Sequence, residues 1–298
     1  MTEPLSELCF VSAKAQVIHG SIRVPGDKSI SHRSVIFSAL ADGVSNIEGL
    51  LEGEDVLATL AAFRAMGVQA EGPVDGKLTV YGVGMQGLKA PESPLDMGNS
   101  GTAMRLMSGL LSAQSFTSVL IGDESLSKRP MRRVMLPLKL MDANCSAEQD
   151  GTPPIEIHAS EQLNGIHYDL PVASAQVKSA ILLAGLYAKG TTKVVEPAAT
   201  RDHTERMLNA YGYVCSAEQG VICLTGGGKL TAQDISIPAD ISSASFFMVL
   251  ASIIPDANLL LEHVGVNATR VGVINISVSY THLRAHETRE DRVCRVGL

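Results

Sequence analysis

The chain has 298 residues, 45% hydrophobic and 18% charged, with 24 basic and 31 acidic side chains and a formal net charge of −7. That apolar content supplies packed cores and excludes intrinsic disorder, the length suits about two domains, and the negative balance argues against a nucleic-acid-binding surface. The five cysteines (Cys9, Cys145, Cys215, Cys223 and Cys294) form no C-x-x-C pair, so neither a disulfide framework nor a zinc ribbon is indicated.

Residues 1–20 include acidic side chains and hold no apolar run of signal-peptide length. The longest apolar runs, such as residues 246–254, fall short of the roughly 20 residues of a membrane span. The expectation is a soluble protein of a reducing, cytoplasmic compartment, with no membrane or nucleic-acid partner.

In chain order, the first predicted element is a short strand, followed by a polar turn and a helix of small apolar residues: SIRVPGDKSISHRSVIFSALADG from Ser21. The same order returns in PLDMGNSGTAMRLMSGLLSAQS from Pro94, HYDLPVASAQVKSAILLAGLYAKG from His167 and DISIPADISSASFFMVLASIIPDA from Asp234. Ser29, Ser100, Ser174 and Ser242 open these helices at spacings of 71, 74 and 68 residues. A serine hydroxyl there accepts from the free N–H groups of a helix start.

Each first helix leads to a predicted strand, at residues 44–51, 116–122, 192–196 and 258–264. A second helix follows a charged turn: GEDVLATLAAFRAMG, KRPMRRVMLPLKLMDA, TRDHTERMLNAYG and a shortened NATRVGVINI. Alternation in KLTVYGV and GVICLTG closes the first and third units as strands. The pattern predicts β-α-β-α-β-β units of about 70 residues, three complete and a fourth stopping in its second helix. The small-residue helices are expected at a buried centre with the sheets outside.

Beyond Ile276 the run SVSYTHLRAHETREDRVCRVGL leaves this pattern and crowds in Arg284, Arg289, Arg292 and Arg295. His282 and His286 stand four apart, but no third ligand accompanies them, so a charged tail is the better reading than a metal site. The expected organisation is a complete three-unit domain over 21–233, a partial second domain from 1–20 and 234–276, and an unrelated, artefactual tail over 277–298. The partial domain is expected to expose Phe246, Phe247 and Leu259 to Leu261.

The polar turns occupy equivalent places in the units and should converge on one rim, where helix starts attract anions. They carry Asp27, Lys28, Ser29, His32 and Arg33; then Asn99, Ser100, Gly101, Thr102 and Arg105; then Ser174, Ala175, Gln176 and Lys178. The second-helix entries add Lys128, Arg129, Arg132, Arg133, Arg201, Asp202 and His203. Cations and hydroxyls at the turns of an acidic protein suit small phosphorylated or carboxylated metabolites. His32 and His203 read as structural hydrogen-bonding groups. GVGMQG at 82–87 matches G-x-G-x-x-G, yet LKAPESP follows where a dinucleotide site needs a helix. GGG at 226–228 reads as a hairpin turn.

GDKSISHRSVIFSALADG, LDMGNSGTAMRLMSGLL, DESLSKRPMRR, PVASAQVKSAILLAGL and TRDHTERML together resemble the 3-phosphoshikimate 1-carboxyvinyltransferase (5-enolpyruvylshikimate-3-phosphate synthase) family over about residues 10–276. The ASAQVKSA and TRDHTERM forms resemble its class II branch, which is often glyphosate-tolerant and frequently has Ala where this chain has Gly101. The resemblance implies an α/β fold of repeated β-α-β-α-β-β units forming an inside-out α/β barrel, enolpyruvyl transferase-like, with the second domain incomplete. It implies transfer of the enolpyruvyl group of phosphoenolpyruvate to the 5-hydroxyl of shikimate 3-phosphate, with loss of phosphate and no metal or organic cofactor.

Carried over by position, Lys28, Ser29, Arg33, Ser174, Ala175 (through its backbone), Gln176 and Arg201 resemble the shikimate 3-phosphate contacts. Lys28, Gly101, Arg129 and Gln176 resemble the phosphoenolpyruvate side, and Lys28 is the candidate catalytic residue. The family's catalytic Asp, proton-handling Glu and further cations come from a second domain with no counterpart here, so the expectation is half a site and negligible turnover alone, in a protein that is monomeric at full length. The alternatives are a non-catalytic module that captures shikimate 3-phosphate and a UDP-N-acetylglucosamine enolpyruvyl transferase. The latter carries Lys-Asn at the first turn, where this chain has Lys28-Ser29.

Overall fold

The computed structural model describes residues 17–280, 284–287 and 292–297, with side chains described through residue 279. Two compact units share the chain: one comprises Pro25–Asp240 and Asn267–Arg270, the other the described residues within Met1–Val24, Ile241–Val266 and Val271–Leu298.

Strand β1 (His19–Ile22) precedes the larger unit. That unit then runs α1 (Lys28–Leu40), β2 (Asp42–Glu48), α2 (Glu54–Ala65), β3 (Gln69–Val74) and β4 (Lys77–Val83). Next come β5 (Leu95–Asp96), α3 (Gly101–Leu111), β6 (Ser118–Ile121), α4 (Arg132–Leu140), β7 (Cys145–Ser146) and β8 (Ile155–Ile157). The third set is β9 (His167–Asp169), α5 (Ala175–Gly185), β10 (Thr191–Val195), α6 (His203–Ala210), β11 (Cys215–Glu218) and β12 (Val221–Thr225), followed by β13 (Ile235–Ser236). The smaller unit adds α7 (Ile241–Ile253), β14 (Asn258–Leu261), α8 (Gly272–Tyr280), β15 (Arg284–Glu287) and β16 (Arg292–Gly297).

Four sheets repeat one topology: β13-β2-β4-β3, β5-β6-β8-β7, β9-β10-β12-β11 and β1-β14-β16-β15. In each, the first pair is parallel and the other two are antiparallel. The strands before α1 and α7 exchange partners, because β1 pairs with β14 and β13 pairs with β2. The divisions therefore fall at Val24/Pro25 and Asp240/Ile241 instead of residues 20/21 and 233/234, and Asn267–Arg270 returns to the larger unit. Residues read from sequence as an unrelated tail supply β15 and β16, in the sheet places that β3 and β4 take in the first unit. The register of β16 on β14 runs from Asn258↔Gly297 to Leu261↔Cys294. His282, Cys9 and residues 1–16 lie outside the described residues, as do the side chains of His286 and Cys294.

The larger unit places its small-residue helices inside. Every residue from Ser31 to Leu40 of α1 is buried, as are most of α3 and α5. Gly109 is what lets α3 approach α5: a Cβ there would run into the Ala180 backbone carbonyl. Phe37 packs against Tyr211 at 5.8 Å between ring centroids, and the Tyr211 hydroxyl lies 2.7 Å from the Ser38 hydroxyl, so this buried phenol is satisfied.

Caps follow the expectation at two starts. Ser100 accepts from Ala103 N–H at 3.1 Å and Ser174 from Val177 N–H at 3.4 Å. At α1 the cap is Asp27, not Ser29, accepting from Ile30 N–H at 2.9 Å, and α7 already starts at Ile241, ahead of Ser242. GVGMQG leaves β4 with no helix before α3, so it has no dinucleotide-site context. Gly226 and Gly227 follow β12 and donate to Gly190 and Leu186 carbonyls, whereas the β11–β12 hairpin turns at Gln219 and Gly220. In α7 Phe246 is exposed as expected, together with Val249 and Ile253. Leu259 and Leu261 are buried instead, because alternation along a strand flanked on both sides turns them inward. No helix among the described residues is long and apolar enough to cross a membrane.

Candidate functional site

The starts of α1 and α5 open onto one cavity of about 400 Å³ in the larger unit. Ser29 and Arg33 reach it from α1, Ser174, Ala175 and Gln176 from the α5 cap, and Thr102 from α3. The segment after β10 brings Ala199, Thr200 and Arg201, α6 adds His203, and Thr269 comes from the returning stretch. The lining has two arginines and no carboxylate.

Each arginine is held differently. Arg33 is 4% exposed and donates from Nε to Thr204 Oγ1 at 2.7 Å, from Nη1 to Ser29 O at 2.9 Å and from Nη2 to Ser179 Oγ at 2.6 Å. Burial is the main cause of its pKa falling to about 10. Arg201 is exposed and donates from Nη1 to the Ser29 hydroxyl at 3.0 Å. Asp27 caps α1 and so leaves Ser29 Oγ for this contact.

Gln176 links the cavity to a second cationic cluster. Its carbonyl accepts from Arg105 Nη1 at 2.8 Å, and its amide donates to Thr102 Oγ1 at 2.9 Å. Gly101 lies under Arg105 and Arg129; a Cβ would come within 2.8 Å of Arg105 Nη1 and 3.4 Å of Arg129 Nη1. Arg129 is itself tied to Asn99, with Nη2 2.5 Å from Oδ1, and to the Ser125 hydroxyl at 3.1 Å. Desolvation, then the neighbouring Arg129 and Arg133, lowers the Arg105 pKa.

The structure thus brings Ser29, Arg33, Ser174, Ala175, Gln176 and Arg201 into one cavity, with Gly101 and Arg129 clustered around Arg105. Lys28 is outside that lining: its ammonium pairs with Asp55, and its side chain is 47% exposed. Lys178, expected from sequence at the anion rim, is 1% exposed and faces Glu205 at 2.6 Å and Glu196 at 3.1 Å. One turn beyond the cap, it points into the unit instead of the cavity.

His32 and His203 are buried. Nδ1 of His32 sits 2.8 Å from Thr59 Oγ1. Burial first, then Arg33 and Lys28, lowers its pKa to about 3, and burial likewise lowers His203 to about 4. Both are neutral at pH 7. No group of three or more His, Cys, Asp or Glu residues among the described residues is arranged to hold a metal.

Sequence reasoning missed Arg270. It pairs with Asp27 and reaches Asp240 Oδ1 at 3.1 Å, behind the α1 cap. Nearby, Asn267 Nδ2 donates to Asp202 Oδ1 at 2.5 Å. The repeat places these residues only in the shortened NATRVGVINI element of the fourth unit, and nothing in that local pattern shows that Asn267–Arg270 returns to the larger unit.

Residues 13–295 match the family described as EPSP synthase (3-phosphoshikimate 1-carboxyvinyltransferase). The chain belongs to the EPSP synthase family. It is 60% identical over 264 residues to the 3-phosphoshikimate 1-carboxyvinyltransferase of Hydrogenovibrio crunogenus, covering 87% of this chain and 59% of that protein. The Methylococcus capsulatus enzyme of the same name is 56% identical over 270 residues, covering 91% of this chain and 62% of that protein. The solved EPSP synthase of Acinetobacter baumannii superposes with a TM-score of 0.87 at 55% identity, covering 93% of this chain and 64% of that chain. The fold is therefore the inside-out α/β arrangement of EPSP synthases, and the chain spans about 59% of the length of the first of these relatives.

Proposed function

We propose that this chain supplies the shikimate 3-phosphate side of an enolpyruvyl transfer centre. In that reaction phosphoenolpyruvate takes a proton at its methylene carbon while the 5-hydroxyl of shikimate 3-phosphate gives up its proton and its oxygen bonds to C2. The resulting tetrahedral ketal then loses a proton from the former methylene carbon and releases phosphate, leaving the enolpyruvyl ether. One observation carries the reading: a cavity lined by Arg33 and Arg201 and by no carboxylate, in a chain of net charge −7, with two helix starts at its wall.

In this reading Ser29, Arg33, Ser174, the Ala175 backbone, Gln176 and Arg201 hold shikimate 3-phosphate, each charge-assisted bond contributing about 1.5–3 kcal/mol. Lys28, Gly101, Arg129 and Gln176 form the phosphoenolpyruvate side. Lys28, the half-exposed cation at the start of α1, moves a proton. The work of the cations is to hold two anions in register, which lowers the entropic cost of their meeting. The whole protein acts as a cytoplasmic monomer without a metal or organic cofactor, while the stretch present here binds shikimate 3-phosphate with negligible turnover.

Calorimetry with shikimate 3-phosphate, paired with a phosphate-release assay on both substrates, tests this. Binding without steady release supports the half-site. Absence of binding overturns it, and sustained release that survives Lys28→Ala removes the role given to Lys28.

A further inference from the structure

Three charged side chains are buried together directly behind the cavity wall. Lys178 is 1% exposed, Glu205 3% and Glu196 6%; the Lys178 ammonium lies 2.6 Å from Glu205 Oε1 and 3.1 Å from Glu196 Oε1. Glu196 directly follows β10 and Glu205 sits in the first turn of α6. Between them runs the segment that delivers Ala199, Thr200 and Arg201 to the cavity. Thr200 Oγ1 also donates to Glu196 Oε1, so the segment is tied to the same carboxylate that Lys178 grips.

We propose that Lys178 is a positioning residue: it clamps both ends of the arm, residues 197–201, that presents Thr200 and Arg201 to the anion cavity. Lys178 stands on the helix whose cap residues, Ser174 and Ala175, line the opposite wall. The ion pairs therefore reference the arm to that wall. Arg33 joins the same assembly through Thr204, the residue before Glu205, and through Ser179, the residue after Lys178. Two cations and two carboxylates thus balance within one buried network that spans α1, α5, β10 and α6.

Stability alone is a poor reason for such an arrangement. Desolvation offsets much of the attraction in a buried ion pair, and apolar side chains of similar size often serve as well. Apolar contacts are non-directional, however, whereas an ammonium within 3.1 Å of two carboxylates draws the end of β10 and the first turn of α6 to one point on α5.

The test compares the unaltered chain with Lys178→Met and with the triple variant Lys178→Met/Glu196→Gln/Glu205→Gln. The triple removes all three charges, so it folds even where the single variant, left with two unpaired buried carboxylates, does not. Backbone ¹⁵N relaxation is the readout that needs no ligand. Order parameters for 198–201 are expected to fall from about 0.85 to below about 0.6 in the triple variant while α5 and β10 stay rigid. An arm as rigid as in the unaltered chain overturns the proposal, and so does loosening spread over the whole unit.

The second readout, which rests on the anion-site reading above, is titration with shikimate 3-phosphate. Affinity is expected to fall about tenfold in the triple variant. Arg201→Ala should weaken binding about tenfold or more in the unaltered chain and less than about twofold in the triple variant. Additive losses count against positioning. An unaltered chain that binds nothing defeats the functional reading and leaves the relaxation result to decide the clamp.

Discussion

Arg201 Nη1 donates to the hydroxyl of Ser29 at 3.0 Å, joining residues 172 positions apart across the mouth of the cavity. The contact depends on an arrangement elsewhere: Asp27 caps α1, so the Ser29 hydroxyl is not consumed by the helix start. A phosphate entering the cavity meets a guanidinium and a hydroxyl already side by side.

Arg201→Ala is therefore expected to weaken shikimate 3-phosphate binding by about tenfold to a hundredfold, the range of one lost charge-assisted bond. Ser29→Ala should cost less, since its hydroxyl is neutral. Because Arg201 is exposed, neither change should move the urea midpoint of the fold appreciably. Calorimetry and urea titration on the same samples check both halves; equal affinities would remove Arg201 from the site.

The repeat was legible in the sequence because it leaves a local signature: a polar turn and a small-residue helix return every 70 residues or so. The rim was legible for the same reason, as Ser29, Arg33, Ser174, Gln176 and Arg201 all sit at turns of equivalent units. What local pattern could not show is exchange between distant segments. The swap of β1 and β13, the return of Asn267–Arg270 and the inward aim of Lys178 depend on partners far along the chain. The choice of Asp27 over Ser29 as cap is of this kind, since a carboxylate there also receives Arg270. β15 and β16 were missed because four arginines in a short run read as a solvated tail.

Gly109→Ala should destabilise the larger unit, because its Cβ would meet the Ala180 carbonyl at the α3–α5 crossing, where backbone cannot move aside. Overpacking of this kind costs about 1–3 kcal/mol, and the melting temperature should drop by several degrees. Gly272→Ala is the control: nothing lies within 4 Å of a Cβ there, and alanine at the start of α8 should be neutral or stabilising. Calorimetric melts of both variants decide the matter, with equal melting temperatures counting against the close crossing.

Asp27 carries two loads, the α1 cap and the partly buried Arg270. Asp27→Ala removes both and should cost about 2–4 kcal/mol, less than a fully broken buried pair because Asp240 still holds Arg270 at 3.1 Å. Asp27→Asn keeps a capping oxygen and loses only the charge, so its loss should be clearly smaller. Urea unfolding at pH 7 separates the two loads; identical losses would mean the cap contributes nothing.

Acid should weaken the fold before its carboxylates titrate. The unfolded chain protonates its histidines near pH 6.5, whereas folded His203 waits until about 4 and His32 until about 3, chiefly because burial disfavours their charged forms. Between these limits the unfolded state binds more protons, so stability is complete above pH 6.5 and falls as pH falls. Each histidine should remove about 2 kcal/mol by pH 5. Asp123, hydrogen-bonded by Asn99, and Asp150, hydrogen-bonded by Thr152, have pKa values lowered from the usual carboxylate range. Urea midpoints at pH 7.5, 6 and 5 should therefore decline in the unaltered chain and flatten in a His32→Asn/His203→Gln variant. Parallel slopes for the two proteins would place the acid sensitivity in other groups.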